Sequence, residues 1–145
     1  MTAQEFLMQY RDMHDYAEEK REEYLIARSK AESIPSSLAN AGEVRSYNNH
    51  RAEDVLLKLA EARETYVNAA YDALLVMADI ADVINPIPGL DGTVLHERYI
   101  LRKTWNQIQK DLGKASGTVF KAHKRGLQIV QELLDEGEKE SLVQS

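Results

Sequence analysis

Four histidines, His14, His50, His96 and His123, come first, because an imidazole can act as base, acid or metal ligand near neutral pH. None has a Glu three residues before it, so the helical Glu-x-x-His pattern of dimetal bundles is absent. His96-Glu97 begins like a zinc-protease motif, but position 100, where the second His belongs, is Ile. The carboxylates Glu18-Glu19, Glu22-Glu23, Asp79 and Asp82 have no second ligand type or base in pattern and read as solvated faces. Ser116 has no paired base to make it a nucleophile. Cysteine is absent, which removes disulfides, thiolate catalysis and thiolate-held zinc together. The Gly-rich GLDG stretch is too short for a phosphate loop and lacks the Lys-Ser or Lys-Thr that would follow. The expectation is therefore a protein that is not an enzyme and carries no metal and no cofactor.

Charge is more informative. The formal net charge is -6, which taken alone argues weakly against nucleic acid. Between Thr93 and Gln131, however, Arg98, Arg102, Lys103, Lys110, Lys114, Lys121, Lys124 and Arg125 face only Glu97 and Asp111. A phosphate backbone responds to the local field it meets, so this asymmetry outweighs the total. The acidic remainder limits indiscriminate binding to nucleic acid.

The elements that must position this basic segment follow from periodicity. From Phe6 to Ile34 a stripe recurs at alternating spacings of four and three: Phe6, Tyr10, Met13, Ala17, Lys20, Tyr24, Ala27, Ala31, Ile34. A second runs Val55, Leu59, Ala62, Tyr66, Ala69, Ala73, Val76, Ile80, Val83. Both are heptad seams of long helices, broken by Pro35 through Gly42 and ended by INPIPGLDG. An antiparallel helical hairpin over residues 1–86 is the economical arrangement. It has too little core to stand alone and should pack on the C-terminal module or on a second copy. No β-alternation is convincing anywhere.

Residues 91–137 read as three short helices. The first runs from about Gly92 to Leu101, with Asp91 available as its cap. Thr104, with Gln107 three residues on, forms a capping-box pattern for a second helix, whose Trp105, Ile108 and Leu112 share a face and whose end is Gly113. Ser116 is expected to cap the third helix, with Val119, His123, Leu127 and Val130 inward and Gly117, Thr118, Lys121, Lys124 and Arg125 on other faces. Leu95, Tyr99, Trp105, Ile108, Leu112, Val119, His123 and Leu127 form the expected core. Gly126 suggests close approach to the first helix, since glycine inside a helix otherwise costs about 1 kcal/mol. Two short helices joined by a glycine-containing turn match a helix-turn-helix, whose second helix can enter a major groove. The fold expected is thus all-α, a long hairpin followed by a helix-turn-helix.

The pattern Leu95, Arg98-Tyr99-Ile100, Lys103-Thr104-Trp105, Ile108, Leu112-Gly113, Ser116, Val119, His123, Arg125-Gly126-Leu127 resembles region 4 of bacterial sigma factors. It is closer still to the small phage-encoded transcriptional activators of the RinA and ArpU type. The resemblance covers roughly the last third of the chain. It implies a regulator that binds double-stranded promoter DNA through its third helix and activates phage late genes through host RNA polymerase. Nothing resembles sigma region 2, so an auxiliary activator is implied and not a complete sigma factor. Thr118, Lys121, Lys124 and Arg125 inherit the exposed recognition positions by this analogy.

For DNA contact the candidates are Gly117, Thr118, Phe120, Lys121, Lys124, Arg125, Lys114 and Lys103. Arg offers a bidentate fork to guanine, whereas Lys more often supplies a phosphate charge, so Arg125 with Thr118 or Lys121 are the specificity candidates. Phe120 can touch a thymine methyl or close the core edge. Two other functions fit the same pattern: a phage DNA-packaging recognition subunit of the small terminase kind, or a helical interaction module that does not bind DNA. The chain is expected to be cytoplasmic in a bacterial host, off the membrane, and a monomer or homodimer. Its composition, 43% hydrophobic and 29% charged, suits a folded chain, and its N-terminus lacks a secretory pattern.

Overall fold

The structure, a computed structural model, describes residues 1–34 and 45–144. The chain is all-α: α1 (Ala3–Glu32), α2 (Arg45–Ile84), α3 (Gly89–Leu95), α4 (Trp105–Leu112) and α5 (Ser116–Gln144), with no strand among the described residues. Among them, no helix is long and apolar enough to cross a membrane. The turn expected from Pro35 to Gly42 lies outside the described residues.

A capping box starts α1. The Thr2 hydroxyl accepts from the Glu5 N–H at 3.1 Å, and the Glu5 carboxylate accepts from the Thr2 N–H at 3.3 Å. Along both long helices the heptad stripes are the least exposed faces: every seam residue is buried or half-buried, with Ala17, Ala69, Ala73 and Ile80 buried outright. Small side chains let helix axes approach, which is why alanine supplies so much of this seam.

The chain falls into two compact units, Met13–Ala73 and a second that joins Met1–Asp12 to Leu74–Ser145. This differs from the expected 1–86 and 91–137 division. In the first unit the Tyr24 and Tyr66 rings stack at 5.9 Å, joining the seams of α1 and α2. In the second, Ala3 and Leu7 of α1 and Ile80 and Ile84 of α2 close one core with Ile87, Leu95, Tyr99 and Val130. The Ala3 N–H also donates to the Gln131 side-chain carbonyl at 2.8 Å. Burial of Leu7, Ile80 and Ile84, at about 1.5–3 kcal/mol each, draws the helix ends into the C-terminal body.

A second cluster lies beside it: Val94 of α3, Ile108 of α4, and Val119 and Ala122 of α5, edged by Leu90, Trp105 and Leu112. Adjacent residues of α3 thus serve two cores, Val94 one and Leu95 the other. α5 continues to Gln144, beyond the expected end at 137.

Candidate nucleic-acid interface

The segment expected to be linker contributes structure. α3 begins at Gly89, earlier than the expected Gly92, behind Pro88 with no side-chain cap. Gly89 has a φ of +71°, a conformation open to glycine at little steric cost. Gly92 is buried, and a Cβ there would lie 2.0 Å from the Ile87 carbonyl oxygen. From His96 to Ile100 the helix widens into a π turn, closed by the Leu101 N–H on the His96 carbonyl at 3.0 Å. Arg102 then takes a φ of 56°, and the Lys103 N–H returns to the Glu97 carbonyl at 3.1 Å. One left-handed residue thus follows the π turn and directs the chain toward α4.

Thr104 carries a complete capping box. Its hydroxyl accepts from the Gln107 N–H at 3.2 Å, and the Gln107 side chain accepts from the Thr104 N–H at 2.9 Å. α4 ends at Gly113, φ +62°, with the Lys114 N–H on the Gln109 carbonyl at 3.1 Å and the Gly113 N–H on that of Lys110 at 3.3 Å. These two bonds are a Schellman stop. Only Gly113, Lys114 and Ala115 separate α4 from α5. Ser116 does not cap α5 as expected. Ala115 stands at the cap position, its carbonyl accepting from the Val119 N–H at 3.1 Å, and Ser116 is the first helical residue.

Once α5 starts, its phase is set by what it buries. Val119, Ala122 and Val130 are fully buried, Gly126 is buried, and His123 and Leu127 are half-buried. A Cβ on Gly126 would lie 2.8 Å from Leu95 Cδ1 and 2.9 Å from its Cγ, so glycine lets α5 seat on α3. The His123 Nε2 is 2.7 Å from the Tyr99 hydroxyl, and its ring meets the edge of Trp105 at 4.7 Å. Burial, and secondarily the Arg98 charge, hold the His123 pKa below the ordinary histidine value. Burial likewise raises that of Tyr99, against the opposing pull of Arg98. Trp105 is half-buried, with the Arg98 guanidinium 4.7 Å from its ring centre and the Phe120 ring tilted against it, centroids 5.0 Å apart. Phe120 remains 45% exposed, at the rim of the core and not within it.

The cations divide into two groups. Lys103, expected on DNA, is held by the Glu97 carboxylate and by Asp111 at 3.0 Å. These two acceptors raise its pKa and pair its charge, so that it clasps the turn. Arg125, the expected guanine reader, instead holds Asp91 through Nε at 3.2 Å and Nη2 at 3.1 Å. Asp91, expected as a cap, is thus the partner that pins α5 to α3. Arg98 donates to the Lys103 carbonyl at 2.9 Å while covering Trp105. By contrast Lys110, Lys114, Lys121 and Lys124 are exposed, and among the described residues none of them forms an ion pair. Gly117 and Thr118 are exposed beside them, and nothing lies within 4 Å of a Cβ placed on Gly117.

Sequence reasoning missed Asp91 and Arg98 as organising residues. Asp91 and Arg125 lie 34 residues apart, so no local spacing announces the pair. Arg98 sits seven places before Trp105, a separation that only the intervening turn converts into contact. Among the described residues, no group of three or more His, Asp or Glu is placed to hold a metal ion. No family model matches the chain, and no curated protein or solved structure matches it.

Proposed function

We propose that the chain is a sequence-specific double-stranded DNA-binding regulator, acting through a helix-turn-helix made of α4, the Gly113 turn and α5. The observation that carries this reading is the solvent face at the start of α5. Gly117, Thr118, Lys121 and Lys124 lie on it, Lys114 precedes it, and among the described residues no carboxylate pairs with these lysines. A bare first turn at Gly117 leaves room for a phosphate ridge, and Thr118 offers a hydroxyl to a base edge. The resemblance to sigma region 4 and to phage late activators supports a role at promoters alongside host RNA polymerase. The long helices then serve as a contact region for protein. Specificity on this reading rests on Thr118 and Lys121, since Arg125 is engaged by Asp91.

The test is salt-dependent binding to duplex DNA, first by selection from genomic fragments and then by titration of the selected site. Replacing Lys121 or Lys124 with Ala should lower the slope of log affinity against log salt by about 1 each. Lys103→Ala should leave that slope unchanged, because its charge is already paired. Absence of salt-dependent duplex binding at low salt, or equal slopes for all three variants, would overturn the reading.

A further inference from the structure

α2 carries a second apolar stripe that stands exposed among the described residues. Leu56, Ala60, Arg63, Val67, Tyr71, Leu74 and Ala78 recur at spacings of three and four, roughly a third of a turn away from the Val55–Val83 seam. All seven are exposed, with Leu56 at 53%, Val67 at 51%, Tyr71 at 61% and Leu74 at 56%. Scattered surface leucines are ordinary, but four large exposed apolar side chains, Leu56, Val67, Tyr71 and Leu74, aligned with two alanines along about 33 Å of one helix suit an interface.

From this stripe we infer that α2 pairs with α2 of a second copy, antiparallel, about a two-fold axis at Val67. Residues equidistant from Val67 then face each other, and their sizes complement: Leu56 meets Ala78, Ala60 meets Leu74, and Val67 meets itself. The one charge in the stripe, Arg63, meets Tyr71, a guanidinium on an aromatic face. Parallel in-register pairing would instead set Arg63 against Arg63. A two-fold contact must be self-complementary, and only the antiparallel register meets that condition here. Covering side chains this exposed removes on the order of 1,000 Å² over both copies, about the lower bound for a specific interface. The pairing stands independently of DNA binding.

The full chain should sediment at about 100 µM with a mass near twice 16.5 kDa. Val67→Arg sets two like charges together on the axis and should weaken the dimer by about 100-fold or more. Because Val67 is on the surface, helicity and melting of the separated monomer report that the variant still folds; Tyr71→Glu serves as a second disruption. The chain has no cysteine, so Val67→Cys should join two copies under mild oxidation, whereas Thr65→Cys, on another face, should not. A wild type that stays monomeric at that concentration leaves the stripe to another occupant and overturns the proposal. A Val67→Arg dimer as tight as wild type also overturns it.

Discussion

The two-helix region 13–73 and the three-helix region 89–130 use apolar side chains in opposite ways. In the shorter helices the large aliphatic residues point inward, where Val94, Leu95, Ile108, Val119 and Val130 are fully buried, while Thr104 and Gly113 satisfy the ends of α4. In the long helices alanine lines much of the inward seam, whereas Leu56, Leu57, Val67 and Tyr71 stand in solvent. The three-helix region buries its large aliphatic side chains, partly against the ends of α1 and α2, whereas the two-helix region leaves several of its own exposed. In the three-helix region caps, a stop signal and large inward residues act together.

The largest effect expected from breaking this contrast is in the α3–α4–α5 core. Ile108→Ala should lower unfolding stability by about 2–5 kcal/mol in denaturant titration, because Ile108 is fully buried between three helices. The matched change Leu57→Ala, at a side chain 59% exposed, should stay within about 0.5 kcal/mol. Equal losses at the two sites would remove the distinction between the regions.

A smaller loss is expected at Gly126. Alanine there gains about 1 kcal/mol of helix propensity. The new Cβ meets Leu95, which is fully buried and has little room to retreat. Overpacking of this kind costs about 1–3 kcal/mol, so the net change should be destabilising. The same substitution at Gly137, with nothing within 4 Å, should stabilise α5. Thermal melting of both variants checks the sign.

The smallest effect expected is on pH dependence. His123 is held neutral by burial, so its folded pKa lies below the unfolded value of about 6.5. The unfolded chain therefore takes up the proton first as pH falls. Stability from this site is intact above the unfolded pKa and declines as pH drops from there toward the folded pKa. In His123→Gln this decline should disappear, measured as the difference between wild-type and variant stability from pH 7.5 to pH 5. A difference that does not change with pH would mean that His123 takes up its proton equally in the folded and unfolded states, so that burial does not lower its pKa.

Much of the α4–α5 geometry was legible because its signals are local. Thr104 with Gln107, and Gly113 behind Leu112, announce a helix start and stop within one or two turns. The 3.6-residue period places Val119, His123 and Val130 on one side of α5 whatever that side packs against. Ser116 was misread because Ser favours a cap position in general, whereas the cap here is Ala115, acting through its backbone. The start of α3 was misplaced because GLDG looks like linker until Gly92 packs on the Ile87 carbonyl.

What the sequence determined by itself is the all-helical class, the seam faces of α1 and α2, the α4 caps and the basic character of the C-terminal segment. These follow from residue type at short separations, where backbone hydrogen bonding and helical period leave few alternatives. Tertiary structure alone decided which cations remain available. Asp91 takes Arg125, and Glu97 and Asp111 take Lys103, leaving the exposed lysines of α4, the turn and α5 to carry the field. It also decided that the ends of α1 and α2 share a core with the short helices. Charge pairing and burial depend on distance in space, and residues far apart in the chain meet only when the helices have packed.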